Sequence, residues 1–390
     1  MMKMYTAYTS EVDDIEVAVS ELKEQLALEG LLLKNTIGIL SCYADFIETG
    51  VYAALCETFD FDIVGTTTLG CAVPGGMEDI MLALTVMTSD DVFFSVGLSE
   101  QITQESEEPF REPYKRALAA LPAEPALILS FAPLLMNVGG DYLVKAFDDI
   151  SGGVPNFGTV AVDHNDDYHE AVVLINGESY ADRYAFVLLG GAVDPHFYVA
   201  TISNEKIFKD KGVVTASQGN QLQTVNNMPV VDYLVSLGLQ KNADGSITGI
   251  NSFPFIMDLN DGMMPIVRVM FALTPEGYAV CGGDVPVGAT LSVGSIDADE
   301  VIETTERKLL EAIGSGGYDC FLIFSCVGRY FSLGYNPMGE MEKLQEVLDD
   351  SGVPYHFAYA GTEISPVYGR ENDESLMNRS HNDTCIICAF

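Results

Sequence analysis

Tryptophan is absent from the 390 residues, and lysine and arginine together number 19 against 57 aspartates and glutamates. Without an indole, intrinsic fluorescence reports tyrosine alone, so ligand binding is better followed by calorimetry. The shortage of positive charge says more. A net charge of −38 repels phosphate backbones and anionic lipid, and no basic stripe interrupts that field, so nucleic acid and membrane surfaces are not expected partners. Cysteine is sparse as well: of eight, seven lie in apolar runs and Cys56 lies in an expected helix, which reads as buried reduced thiols rather than a disulfide framework. Residues 1–14 hold one lysine, no apolar stretch and no small-residue cleavage site, so no secretory leader is expected and a cytoplasmic location follows. The longest apolar stretch, ALILSFAPLLM, is interrupted by Ser130 and Pro133 and falls short of the roughly 18 residues a spanning helix needs. What the chain does have is core material. An apolar fraction of 48 %, a mean hydropathy of +0.19, 20 Phe and 18 Tyr exclude disorder, and the length suggests two substantial domains.

Ser10 and Asp13 make a capping-box-like start to a first helix, with Ile15, Val19, Leu22 and Leu26 at helical spacing before Gly30. Three segments then share one plan. In 37–87, an apolar strand ending ILSC leads to a helix, then DIVGTTT and MLALTVM; in 125–175, ALILSF leads to a helix, then GGVPNFGTVAV and EAVVLI; in 318–390, CFLIFSC leads to a helix, then SGVPYHFAYAG and TCIICAF. Each first strand ends near a small polar residue, Ser41, Ser130 or Ser325. Strands apolar at nearly every position are expected to be covered on both faces. The fold class is therefore α/β, with mixed, largely central sheets of repeated β-α-β-β units and covering helices in two pseudo-related halves. Ligand sites in such sheets lie beyond the carboxyl ends of the strands, which draws attention to Ser41, Ser130 with Asn137 in the following loop, and Ser325 to Arg329. Between the second and third segments, 205–212 is the most basic stretch and marks a boundary, giving domains 1–203 and 204–390. Asp297 is expected to cap the helix that leads back into the third segment.

No HExxH, Walker loop or nucleophile elbow is present, so the glycine pairs, Gly139-Gly140 and Gly282-Gly283 among them, read as turns. Cys385 and Cys388 form a CxxC inside a strand, where positions three apart face opposite ways, which speaks against a metal site. Asp163 to Asp167 with His169 gathers carboxylates and imidazoles, either as a metal or proton-transfer site or as a solvated acidic loop. The sharpest cluster is SCVGR, Ser325 to Arg329. A guanidinium just past an apolar strand suits a carboxylate, belonging either to a ligand or to an internal partner such as Glu363. Cys326 beside it would be either a packed thiol or a nucleophile working with His381.

SCVGR followed by an acidic helix, then VPYHFAYAGTEISP and SHNDT before a terminal strand, resembles the carboxyl-terminal half of the FIST sensory-domain family. GVVTASQGNQLQTVNNMPVVDYLVSLG resembles the segment joining that family's two halves, and VGTTTLG resembles a turn of its amino-terminal half. The resemblance implies a sensory module of signal transduction that binds an amino acid or related anionic or zwitterionic metabolite. It also implies output through a separate signalling protein, since the two halves use up the length; a homo-oligomer would be compatible. The ligand site would combine Arg329 holding an anionic group, Glu363 orienting Arg329 or accepting from an amine, and Ser325, Cys326, His381 and Asn382 around it, with Ser41, Ser130 and Asn137 contributed by the other strand ends. No cofactor is required, although some members are regarded as haem-dependent gas sensors, for which His381 or His356 would be the axial ligand. A reading from another class is a hydrolase or transferase using Cys326 or Ser325 with His381 as base.

Overall fold

The computed structural model describes every residue except Asp166 and Asn372. Among the described residues the strands fall into three six-stranded sheets and a fourth, eight-stranded one. Within each six-stranded sheet a single parallel pair sits at the centre: Asn35–Cys42 with Ile63–Thr67, Pro125–Ala132 with Asn156–Val160, and Phe321–Cys326 with Tyr355–Ala360. These are the strand–helix–strand segments whose apolar residues mark both faces in the sequence. The repeat is longer than the sequence plan, because each unit also begins with an edge strand, Lys3–Thr9, Val92–Leu98 or His196–Ala200, and a helix, Ile15–Leu26, Glu108–Ala120 or Ala298–Ser315. The α/β class and the repeated units are as the sequence indicates, and the units number three.

The sheets are completed by exchange. The hairpin of the first unit, Gly70–Val73 with Gly76–Glu78, adds to the sheet of the third; that of the second, Val173–Ile175 with Glu178–Tyr180, adds to the first; that of the third, Glu363–Tyr368 with Leu376–His381, adds to the second. A ring of backbone hydrogen bonds runs the same way round. Leu69 N–H donates to the Tyr359 carbonyl (3.0 Å), Gly361 to Val160 (2.9 Å) and Val162 to Thr67 (3.2 Å). One face of each six-stranded sheet meets a shared core in which Ile39, Leu129, Phe157, Leu322, Phe324 and Ile386 converge, and the other face is covered by that unit's own helices.

Residues between His196–Ala200 and Ala298–Ser315 form the fourth sheet around a core of its own, including Leu222, Leu234, Phe255 and Leu291. Local signals largely hold. Asp297 accepts from Glu300 N–H (3.0 Å) as the cap of Ala298–Ser315. The first helix is capped four residues beyond Ser10, by Asp14 accepting from Val17 N–H (3.1 Å), and buries Ala18, Leu22 and Leu26 while Ile15 stays exposed. All eight cysteines are unpaired, and Cys385 and Cys388 enter different cores on opposite faces of their strand. No helix among the described residues is long and apolar enough to cross a membrane.

Candidate functional site

The three serines at the strand ends do not occupy equivalent places. Ser41 faces the shared core and bonds His356 Nε2 (2.8 Å), whose Nδ1 meets Thr85 Oγ1 (2.8 Å). Ser130 donates to Asn156 Oδ1 (2.5 Å) and Ser325 to Glu340 Oε2 (2.9 Å), both on the helix-covered side. A shift of one strand position reverses the face, so similar spellings in sequence give different surroundings. Asn137 is exposed and donates to the Thr103 carbonyl (2.7 Å), apart from the others. Ser41, Ser130 and Asn137 are thus not brought to one mouth. His356 is fully buried with both ring nitrogens engaged, and burial lowers its pKa to about 4, so it is a neutral core residue with no nitrogen left for a haem iron.

The role expected of Arg329 is corrected. Its Nε and Nη2 reach Glu340 Oε1 (3.0 and 2.7 Å), and Nη2 also reaches Thr305 Oγ1 (2.7 Å) and the Val301 carbonyl (2.8 Å). Arg329 and Glu340 are both buried, so the guanidinium ties the Ala298–Ser315 helix to the Gly339–Ser351 helix and offers no open fork to a ligand. The internal partner is Glu340, in the first turn of the acidic helix, rather than Glu363.

Glu363 instead accepts from Thr384 Oγ1 (2.9 Å) and lies against the Cys326 thiol. Burial raises its pKa well above the ordinary carboxylate value. Burial, reinforced by Glu363 and Asp383, likewise raises the Cys326 thiol, the reverse of what a nucleophile requires. His381 pairs across the hairpin with Glu363, and its Nε2–H donates to the Ser365 carbonyl (3.1 Å). Burial lowers its pKa to about 3, and the structure shows no hydrogen bond between His381 and either Cys326 or Ser325. The arrangement does not supply an activated nucleophile and its base.

Sequence reasoning passed over Asp383, which sits at φ 49°, a conformation uncommon outside glycine, and is 1 % exposed. It also passed over Arg268, buried in an apolar run, which reaches Asp141 Oδ1 (2.5 Å) and the Ser380 carbonyl (2.8 Å). Several buried polar atoms here have no partner among the described residues: Glu363 Oε1, Ser380 Oγ, His381 Nδ1, Asn382 Oδ1 and Asp383 Oδ2. Asn382 does use its amide nitrogen, donating to the His381 carbonyl (3.0 Å). Because nearly all buried polar groups in folded proteins are paired, such a concentration in one hairpin and its exit marks a place that bound water or a ligand completes.

Burial raises the Asp383 pKa from its ordinary 3.8 to about 7. A carboxyl whose folded pKa is raised favours the folded state most below its unfolded pKa, and that contribution is lost as pH rises from about 4 to about 7. His356 and His381, both lowered, act in the opposite sense as pH falls below the ordinary histidine range. Asp383→Asn is therefore expected to remove one component of the profile: wild type minus variant stability should decline between pH 4 and pH 7 in urea titrations. A difference flat across that window would show that Asp383 does not titrate as inferred.

His381 opens onto a cleft of about 690 Å³ between the inserted sheet and the third unit. Its walls include Ile202 and Ser203 at the start of the insert, Ile256 and Val267 from the inserted sheet, Val367, and Thr304, Arg307, Lys308 and Glu311 along one face of Ala298–Ser315. Thr304 is also the residue behind which Arg329 lies (3.3 Å). The SCVGR cluster is thus the backing of this cleft rather than its surface. The acidic loop is no metal site among the described residues: Asp163 turns inward to accept backbone N–H groups of Asn165 and Glu170 (2.6 and 2.5 Å), and Asp166, part of the sequence pattern, lies outside those residues.

A three-unit α/β protein with an inserted β module and a cleft at their junction is the class that fold and site define. The chain belongs to the FIST family: the FIST N domain model matches 36–228 and the FIST C domain model matches 229–366. FIST domains are sensory domains of signalling proteins, and a sensory role is consistent with this chain. Comparison with curated proteins finds no match. Among solved structures, a cyanuric acid hydrolase from A. caulinodans aligns at 9 % identity over 100 % of this chain and 99 % of its own, with a TM-score of 0.37. T. maritima PurL complexed with ATP aligns at 9 % identity over 100 % and 71 %, with a TM-score of 0.20. Both likenesses are too distant to bear on activity.

Proposed function

We propose that the protein is a small-molecule sensor whose ligand occupies the cleft beside His381, with output passing to a separate signalling protein. The observation that carries this reading is the cleft itself: about 690 Å³, within the usual range of roughly 300–1,000 Å³ for ligand pockets, and ending at a buried histidine with an unpartnered nitrogen. Its two sides come from different bodies, the inserted sheet and the third unit, so a bound ligand contacts both and favours whichever relative arrangement it fits better. The amino acid or related metabolite expected from sequence would enter here rather than at Arg329.

Thr201→Trp tests the location. Thr201 is a half-buried wall residue, so an indole there narrows the cleft and also supplies the chain's sole tryptophan. Compounds that raise the melting temperature of wild type are expected to lose at least about tenfold in affinity to the variant. Met136→Trp, placed at a fully exposed side chain elsewhere, should bind as wild type does. Equal affinities in all three proteins would place the ligand somewhere other than the cleft.

A further inference from the structure

The eight arginines of this acid-rich chain are almost all matched with carboxylates. Arg111 pairs with Glu107, Arg116 and Arg183 with Glu100, Arg268 with Asp141, Arg329 with Glu340, Arg370 with Asp258 and Arg379 with Asp261. Arg307 alone has no acidic partner among the described residues, and it lines the cleft. Helical spacing would offer it Glu303 and Glu311, four residues to either side, but Glu311 is held by Lys308 (2.7 Å) and Glu303 makes no ion pair with Arg307 among the described residues. In a chain of net charge −38, an unmatched guanidinium on a cleft wall is a specific feature rather than a statistical one.

We propose that the cleft takes a monoanionic carboxylic acid with an apolar body, its carboxylate on Arg307 at the mouth and a hydroxyl or N–H donor at its far end on His381. This rests on the cleft being the ligand seat. The direction follows from exposure, since Arg307 is exposed and His381 is 1 % exposed. One negative charge is the fit: of the two cations on the lining, Lys308 is held by Glu311 and Arg307 takes the first carboxylate, so a second anionic group would find no free cation there. The rest of the lining divides about equally between polar groups and apolar side chains, and Phe197, Ile202, Ile256, Val267, Val367 and Tyr368 supply apolar surface for the ligand's body. At the deep end His381 already donates through Nε2 to the Ser365 carbonyl, so its Nδ1 is an acceptor and selects a donor on the ligand.

Calorimetry on the full chain with 3-(4-hydroxyphenyl)propionate, its neutral primary amide, 3-phenylpropionate and citrate provides the test. The hydroxylated carboxylate is expected to bind at least about tenfold more tightly than its amide or citrate, and several-fold more tightly than 3-phenylpropionate. Arg307→Met, which keeps the apolar stem at an exposed position, should remove the preference for carboxylate over amide. His381→Leu should remove the preference for the hydroxyl; if that variant does not fold, the comparison of the two acids on wild type still decides the matter. Amide binding as well as carboxylate, citrate binding best, or no detectable binding of the hydroxylated acid would overturn the assigned ligand class. Binding of these acids that survives Thr201→Trp undiminished would overturn the cleft as the seat, a distinct failure.

Discussion

Glu340→Ala is expected to destabilise the protein by about 3–5 kcal/mol in urea denaturation, because it leaves the Arg329 charge buried without a counter-ion. Ser325 and Thr305 lose their carboxylate acceptor at the same time. The two ions do not necessarily stabilise the fold relative to an apolar pair; the cost comes from breaking the pair one-sidedly. Arg329→Met combined with Glu340→Leu should therefore recover much of the stability that either change alone loses. The double-mutant cycle is the measurement. Additivity to within about 0.5 kcal/mol would mean that the pair is not the tie between helices that its geometry describes.

A comparable loss is expected from Gly65→Ala. A β-carbon there would stand 1.8 Å from the Leu40 carbonyl oxygen, and at Gly158, the corresponding position of the second unit, 1.9 Å from that of Ser130. The obstacle is the backbone of the parallel neighbour, which cannot rotate away as a side chain would. Either substitution must push apart the central pair of its sheet, at a cost of about 3 kcal/mol or more. Gly314→Ala provides the contrast. That glycine lies exposed within Ala298–Ser315 with nothing within 4 Å of the added carbon, so alanine should be neutral or stabilise by up to about 1 kcal/mol. Gly65→Ala matching Gly314→Ala in denaturation midpoint would contradict the close strand approach.

The strand–helix–strand segments were legible because burial on both faces leaves a continuous apolar run, as in CFLIFSC. The hairpin exchange was not, since short strands such as Gly76–Glu78 carry little pattern and nothing local says which sheet they join. Within the site, SCVGR was legible as a cluster but its partner was misread. Glu340 recurs with Leu344 and Leu348 at four-residue spacing, so a carboxylate sat on the buried stripe of its helix, and that was the available signal. Arg268, passed over, carried a similar signal as the one charge in the apolar run PIVRVMFAL. Arg307 had no such mark: in an amphipathic helix it reads as one more solvated charge, and only the pairing of every other arginine makes it distinctive.

The hairpin exchange is closed: each unit donates one hairpin and receives one, and the donations return to their start after three steps. A unit cut out on its own would expose the edge strand that its borrowed hairpin had covered while holding out a hairpin with no sheet to join. It could satisfy both needs by associating with further copies, and the exchange seen here closes in threes. The chain is thus built like a trimer whose subunits have been tied end to end, and its three parts gain their stability jointly. Damage to any one hairpin therefore weakens the sheet of a neighbour as well as its own.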